Sequence, residues 1–243
     1  MAADPAQALS FGAAADAYER ARPSYPERAV SWLVPPGARR VADVGAGTGK
    51  LTRQLRAHGL DVVAVEPVSQ MRAQLARAVP GVPVLAGTAE EIPLPAASVD
   101  AVLLAQAWHW ADPVRALPEA ARVLRPGGWL GLAWNIRDDS ADWVAELGRI
   151  MRPGGEPDHD REPDLGPPFG RPERLRVRWV SHFTADRLLD LVSSRSYVIT
   201  RPPAERAAVL AAVRRLLDTH PALAGRTDIA LPYVTSCTRA RLA

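Results

Sequence analysis

One stretch decides the fold of this chain: Val41-Ala42-Asp43-Val44-Gly45-Ala46-Gly47-Thr48-Gly49, answered downstream by Val62-Val63-Ala64-Val65-Glu66. The first is an apolar strand that runs into a turn with glycines at alternate positions, and the second is an apolar strand that ends in a carboxylate. Parallel α/β sheets bind nucleosides at the carboxyl ends of such strands. Glycine lets a ligand approach the backbone, and the following helix points free N–H groups at it. We therefore predict a nucleoside pocket in which Glu66 accepts hydrogen bonds from the ribose hydroxyls.

The glycine spacing separates the cofactors that use a turn of this kind. A phosphate-binding loop requires G-x-x-x-x-G-K-[ST], but here Val44 stands at its first glycine and Leu51 at its magnesium-binding hydroxyl. A dinucleotide fingerprint requires G-x-G-x-x-G, and its third glycine falls on Lys50. The pattern that remains is D-x-G-x-G-x-G, in which the acid Asp43 precedes the turn.

Composition predicts a single α/β domain over residues 1–243, because 243 residues that are 47% hydrophobic suit one globular unit. The net charge is +3 without a run of Lys or Arg, so we expect no nucleic-acid surface. A lone Cys237, and histidines without metal-ligand spacing, predict neither a disulfide framework nor a metal site. No membrane-length apolar run and no signal peptide are recognisable, so a cytoplasmic location is expected.

The first 135 residues alternate apolar strands and amphipathic helices five times, which predicts a doubly wound parallel sheet. We expect N-terminal cap helices over 1–36, a cofactor-binding core over 37–136 and a C-terminal half over 137–243. The predicted strands of the core cover 40–44, 62–65, 82–86, 99–105 and 129–134. In the C-terminal half we predict strands over 175–183 and 229–238, a substrate-covering loop over 153–172 and helices over 184–219.

Four further segments extend the pattern in a fixed order. They are Tyr18 to Pro26, which reads Y-x-x-x-R-P-x-Y-P, Gly87-Thr88-Ala89-Glu90-Glu91-Ile92-Pro93-Leu94, Ser98-Val99-Asp100-Ala101-Val102-Leu103-Leu104, and Leu124-Arg125-Pro126-Gly127-Gly128. Together with the glycine turn, residues 10–136 resemble class I methyltransferases dependent on S-adenosylmethionine (SAM), of the small-molecule, trans-aconitate and ubiquinone type. The resemblance implies a Rossmann-like, doubly wound, mixed seven-stranded sheet. That sheet is mostly parallel with an antiparallel last strand, and helical cap elements cover it.

The same resemblance implies that SAM binds at the turn and leaves as S-adenosylhomocysteine. Asp43 and the glycine turn would hold the methionine part, Glu66 the ribose, and the loop after the third strand the adenine. Many relatives carry Asp at the position of Thr88, so Glu90 or a backbone carbonyl is expected to assist at the adenine amino group. The residues implied to contact the cofactor are Tyr18, Arg22, Asp43, Gly45, Ala46, Gly47, Glu66, Pro67, Met71, Thr88, Ala89, Glu90 and Gln106.

The acceptor is expected near Gln106-Ala107-Trp108-His109-Trp110, which leaves the fourth strand at the carboxyl edge. Trp108 and Trp110 would form an apolar wall whose π faces attract a sulfonium. His109 would act as a general base. The alternative is that both tryptophans are core residues and His109 caps the next helix. Further candidates for contact with the acceptor are Trp134, Arg137, Arg195 and Tyr197.

The sequence therefore predicts a methyltransferase that acts on a small-molecule acceptor, as a monomer or homodimer. Oxygen of a carboxylate or hydroxyl is slightly favoured as the methylated atom, because a histidine base suits it. One alternative is a catalytically inactive module that binds SAM or a nucleotide. A less favoured alternative is an RNA methyltransferase, since no Asn/Asp-Pro-Pro-Tyr/Phe motif follows the fourth strand and no basic domain is appended.

Overall fold

A computed structural model describes residues 22–153 and 163–243 of the chain. The described strands are β1 (Arg40–Val44), β2 (Asp61–Val65), β3 (Val84–Leu85), β4 (Val99–Ala105), β5 (Leu124–Arg137), β6 (Glu173–Phe183) and β7 (Ile229–Arg241). The described helices are α1 (Glu27–Leu33), α2 (Lys50–Ala57), α3 (Ser69–Ala78), α4 (Pro113–Val123), α5 (Asp142–Met151), α6 (Ala185–Ser193), α7 (Ser196–Ile199) and α8 (Pro203–Thr219).

The strands form one sheet in the order β3-β2-β1-β4-β5-β7-β6. β1 pairs in parallel with both β2 and β4, and β4 pairs in parallel with β5. β7 runs antiparallel between β5 and β6. The mixed, doubly wound sheet expected from the sequence is thus confirmed. The chain reverses its direction of winding between β1 and β4, and ligands bind α/β sheets at such a switch point.

The central strands are short apolar runs because they are covered on both faces. Val41 of β1 lies between Val62 of β2 and Ala101 of β4, and all three side chains are buried. Separate apolar clusters cover the two faces, one around Val102 and α4, the other around Leu103 and α1. The carboxyl ends of these buried strands are therefore fixed, and they hold the first residues of the adjoining loops rigidly in position.

The largest differences from the sequence prediction concern three elements. β3 has only two residues, both half-buried. β5 begins five residues earlier than predicted, since Leu124 already pairs with Val99 and the residues before Trp129 form an irregularity in the ladder. α5 is absent from the prediction, although its buried residues at 143, 144, 147 and 151 have helical spacing.

The described part of the predicted substrate-covering loop lies away from the glycine turn. The amide of Gly170 donates to the carbonyl of Arg241, and the amide of Ala243 donates to the carbonyl of Pro168. Arg241 pairs with Trp129 near the start of β5, which is the amino edge of the parallel strands. Residues 168–170 therefore do not cover the cleft at the carboxyl edge, and residues 154–162 lie outside the described residues.

The helices α5 to α8 form a layer over the last two strands. Their apolar faces pack around Phe183 and Tyr233, and Leu188, Val198 and Val213 are fully buried there. The layer places the turn between α6 and α7 beside the carboxyl edge of the sheet. None of the described helices combines the length and the apolar character that crossing a bilayer requires.

Candidate active site

A cleft lies at the carboxyl ends of β1 and β4, with about 530 Å³ of empty space when open solvent is included. The predicted site residues that line it are Arg22, Asp43, Gly45, Ala46, Gly47, Gln106 and Arg195. The cleft also contains side chains that the sequence did not single out, among them Tyr25, Lys50, Asn135 and Tyr233.

The glycine turn folds across the end of β2. The amides of Gly45 and Ala46 both donate to the carbonyl of Val65, at 2.8 and 3.1 Å. Gly45 and Gly47 have φ values of +69° and +56°, which L side chains adopt at a cost. A Cβ atom on Gly47 would have no heavy atom within 4 Å, so the backbone here is open to a ligand.

Gly45 and Gly47 offer a matched pair of substitutions. A Cβ at Gly45 would lie 2.4 Å from the Cβ of Ala107, whereas a Cβ at Gly47 meets nothing. Both alanine variants incur the positive-φ strain, and Gly45→Ala adds the clash. We expect Gly45→Ala to lower the free energy of unfolding by about 2 kcal/mol more than Gly47→Ala. Urea unfolding measures this difference, and equal losses would show that Ala107 moves aside freely.

Glu66 is held beside the turn by two backbone amides. Its Oε2 accepts from the amide of Gly47 and its Oε1 from the amide of Val68, both at 2.9 Å. These bonds fix the carboxylate plane and leave each oxygen able to accept one more hydrogen bond. Burial raises the pKa of Glu66, and the two amides oppose that rise. Glu66 is not part of the described lining of the cleft; it lies behind the lining residue Gly47, where it presents two acceptors to a ligand with adjacent hydroxyl groups.

Asp43, the last but one residue of β1, lies before the turn and is 1% exposed. The hydroxyl of Thr52 on α2 donates to its Oδ2 at 2.5 Å. Burial raises the pKa of Asp43 to about 7; the hydrogen bond from Thr52 counteracts this rise, and the nearby charge of Glu66 adds to it. A cation in the cleft would favour the ionised form of Asp43.

Gln106 follows β4 with φ of +58°, an uncommon conformation for a residue with a side chain. Its amide donates to the carbonyl of Ala133 at 2.8 Å, and its Nε2 donates to the carbonyl of Asn135 at 3.0 Å. Such strain costs about 1–3 kcal/mol and persists where the surroundings enforce it. β5 thus holds Gln106 in place at the floor of the cleft.

Positive charge lies at the end of the cleft next to the helical layer. Nε and Nη2 of Arg22 donate to the hydroxyl and carbonyl oxygens of Ser194, each at 3.1 Å. Arg195 lines the same region with only 8% of its surface exposed. The ring of Tyr233, which also lines the cleft, stacks on Trp179 with ring centroids 5.2 Å apart. Two arginines and a tyrosine therefore line this part of the cleft, which makes it positively charged.

The predicted adenine side is built from β2, α3 and the loop after β3. Pro67 is exposed, and Met71 is buried in the face of α3 that meets the sheet. Thr88 is exposed and Ala89 packs partly against the core. Oε1 of Glu90 accepts from the amide of Asp112 at 2.7 Å. One oxygen of the Glu90 carboxylate is thus engaged at the start of α4.

The tryptophans predicted to form an aromatic wall lie outside the described lining of the cleft. Trp108 and Trp134 are 7% and 6% exposed and belong to the apolar cluster between the sheet and α4. Trp110 is half-buried and tilted against the ring of His109, with centroids 4.9 Å apart. His109 lies in a short 3-10 helix, Trp108–Trp110, and Asp112 rather than His109 caps α4. Among the described residues, none of these rings lines the cleft.

Two further predicted acceptor contacts also lie elsewhere. Nη1 of Arg137 is 3.0 Å from the sulfur of Met151 on α5. The ring of Tyr197 lies under Arg152, at 5.7 Å from its guanidinium carbon, and packs against the helical core. Neither side chain belongs to the described lining of the cleft. Tyr18, the remaining predicted residue, lies outside the described residues.

Comparison with known proteins identifies the family of the chain. Residues 42–132 match the family model described as methyltransferase domain. The chain is 58% identical over 235 residues to an uncharacterized methyltransferase of Mycobacterium tuberculosis, covering 97% of this chain and 96% of the relative. It is 33% identical to an uncharacterized methyltransferase-like protein of Schizosaccharomyces pombe, covering 90% of each chain.

Solved structures give the same result. A candidate type II methyltransferase from Anaeromyxobacter dehalogenans superposes with a TM-score of 0.64 and 28% identity, covering 90% of this chain and 97% of that one. The chain belongs to the class I SAM-dependent methyltransferase family.

Proposed function

We propose that this protein binds SAM in the cleft and transfers its methyl group to a small-molecule acceptor. The observation that carries the proposal is the carboxylate of Glu66, which Gly47 and Val68 lock beside the open turn. Its two free acceptor positions suit a ribose diol, and Asp43 suits an ammonium group. The space above Gly47 leaves room for a ligand against the backbone. These residues fit the cofactor that the family uses.

The chain's own contribution is alignment and exclusion of water. When bound, SAM supplies a methyl group on a positively charged sulfur, which an oxygen nucleophile can accept. Glu66 and the glycine turn would orient the cofactor, and Gln106 would form the rigid floor against which it rests. Holding two reactants in line supplies much of the rate of such a displacement.

We propose further that the acceptor carries a carboxylate, held by Arg195 next to Arg22. Arginine binds carboxylates through two parallel hydrogen bonds, and a site with low exposure strengthens them. An ionised carboxylate is already a nucleophile, so its methylation needs no general base. The position of His109 outside the described lining of the cleft supports a reaction of this kind. A hydroxyl acceptor is the alternative, with His109 as its base.

The first test is calorimetry of S-adenosylhomocysteine with the purified protein, followed by a screen of mono-, di- and tricarboxylic acids and phenols with SAM. We expect binding at micromolar concentrations and formation of base-labile methyl esters. Absence of binding at tens of micromolar would refute the cofactor. Turnover of phenols alone would refute the carboxylate, and binding without any turnover would favour a non-catalytic SAM-binding module.

The role of Arg195 is tested by Arg195→Gln, with the exposed Arg214→Gln on α8 as control. Loss of a charge-assisted pair costs about 1.5–3 kcal/mol. We therefore expect Arg195→Gln to raise the KM for the carboxylic acid about 10- to 100-fold, while the Kd for S-adenosylhomocysteine changes less than about 3-fold. A KM equal to that of Arg214→Gln would refute the role.

A further inference from the structure

We propose that Asn135 is a positioning residue that holds residues 22–25 in place as one wall of the cleft. This inference rests on the proposed function of the cleft, because it concerns where the cofactor and acceptor bind. Asn135 lies near the end of β5, lines the cleft and is 7% exposed. Because β5 lies next to β4 in the sheet, Asn135 is placed between the glycine turn and the helical layer.

Asn135 connects the two sides of the cleft through its own polar atoms. Its side-chain Nδ2 donates to the carbonyl of Ser24 at 3.0 Å. Its backbone carbonyl accepts from Nε2 of Gln106 at 3.0 Å. One residue therefore bonds both to the N-terminal segment and to the strained floor after β4. Reorienting the side-chain amide would break the bond to Ser24, whereas the bond from Gln106 goes to the backbone of β5 and would remain.

A chain of buried hydrogen bonds sets the orientation of the Asn135 amide. The indole Nε1 of Trp179 donates to the hydroxyl of Thr235 at 2.8 Å, and this hydroxyl donates to Oδ1 of Asn135 at 2.7 Å. An indole N–H can only donate, so the Thr235 hydroxyl accepts from it and directs its own proton to Asn135. The carbonyl of Ser24 can only accept, so the NH2 group of Asn135 must face Ser24 and the amide oxygen must face Thr235. The donor-to-acceptor direction of this series of hydrogen bonds thus follows from which groups can donate and which can only accept.

The N-terminal segment contributes lining residues on both sides of Ser24. Arg22, two residues earlier, reaches Ser194, and Tyr25 is tied to α2 by hydrogen bonds with Gln54. The bond from Asn135 to Ser24 joins this segment to the sheet, beside the apolar packing of Tyr25 in the cluster that contains Val41 and Ala133. The bond holds the backbone segment that carries Arg22 and Tyr25 at the edge of the cleft. Through this hydrogen bond, Trp179 on β6 and Thr235 on β7 influence the position of residues 22–25, although neither strand belongs to that wall of the cleft.

Thr235→Val tests the proposal, because valine keeps the shape of threonine and removes the proton that orients Asn135. Thr235→Ser restores a hydroxyl. Thr238→Val is the matched control, since Thr238 is 3% exposed on the same strand and, three residues further on, faces the other side of the sheet. Each variant is compared with the wild type by thermal unfolding, by hydrogen exchange of the peptide covering residues 22–27, and by calorimetry with S-adenosylhomocysteine.

We expect Thr235→Val to speed exchange in residues 22–27 about 5- to 10-fold and to weaken S-adenosylhomocysteine binding about 3- to 10-fold, as expected for the loss of one orienting hydrogen bond. Thr235→Ser and Thr238→Val should leave both within about 2-fold of the wild type. Wild-type exchange and affinity in a folded Thr235→Val protein would overturn the proposal. If the wild type does not bind S-adenosylhomocysteine, the proposed function fails, and hydrogen exchange alone still decides the role of Asn135.

Discussion

Replacing Glu66 with glutamine is expected to weaken SAM and S-adenosylhomocysteine binding about 10- to 100-fold. The carboxylate can accept from two ligand hydroxyls at once, because its remaining acceptor positions both point away from Gly47 and Val68. Glutamine replaces one of these acceptors by an NH2 donor. Hydrogen bonds to a charged group contribute about 1.5–3 kcal/mol each, which corresponds to the expected loss. Calorimetry of both ligands measures it.

The matched control for this variant is Glu119→Gln on α4. Glu119 also accepts a backbone amide, that of Ile92 at 2.7 Å, but its carboxylate pairs with Arg122 on the same helix and not with the glycine turn. Its replacement should leave the affinity unchanged, even where it lowers thermal stability. A Glu66→Gln protein that is folded and binds both ligands as tightly as the Glu119→Gln protein would show that Glu66 does not contact the ribose.

Asp43 is expected to make the stability of the ligand-free protein fall as the pH rises from 4 to 8. Its pKa in the folded state is about 7, above the value near 3.9 of an unfolded aspartate. The folded state therefore binds the proton more tightly, and its advantage is lost as pH rises through 7. Each unit of difference corresponds to 1.36 kcal/mol, so the swing approaches about 4 kcal/mol.

Asp43→Asn removes this ionisation and should flatten the profile. Relative to the wild type, the Asp43→Asn variant should therefore gain unfolding free energy as the pH rises from 5 to 8. Urea unfolding at several pH values measures it. Asp100→Asn is the control: hydrogen bonds from the amides of Arg39 and Arg40 and from the side chain of Arg125 outweigh partial burial and lower the pKa of Asp100. Asp100 is therefore ionised in both the folded and unfolded states above pH 5, and the Asp100→Asn and wild-type profiles should run parallel between pH 5 and pH 8. Parallel wild-type and Asp43→Asn profiles would show that Asp43 is ionised at all these pH values.

The first half of the fold could be predicted because its information is local. β1, β2 and β4 are buried on both faces, so each is an apolar run that ends in a turn. Glu66 and the glycine turn could be placed in one site for the same reason, since adjacent parallel strands end at the same edge. Only the extent of β3 and the start of β5 depended on contacts that the sequence does not display.

The remainder of the cleft depends on pairs of residues far apart in the chain. Asn135 and Tyr233 come together because β7 inserts next to β5, a pairing across about a hundred residues. Because Trp108 and Trp134 lie at the ends of strands, the sequence predicts that they contact the acceptor. The alternation of side chains along β5 in fact directs Trp134 to the face opposite Asn135, where α4 covers it. The helical spacing of α5, by contrast, is a local signal from which that helix could have been predicted.

The position of β7 also has a consequence for the order in which the molecule is made. β6 leaves the ribosome before β7, yet β6 reaches the sheet only through β7, whose eleven register pairs with β6 run from Arg239 to Ile229. During synthesis, β6 therefore cannot pair with the sheet until β7 has been made. In that interval β6 and the helices after it expose apolar surface, which chaperones recognise. On this side the sheet is completed from its central strands outward, and the edge strand β6 joins it last.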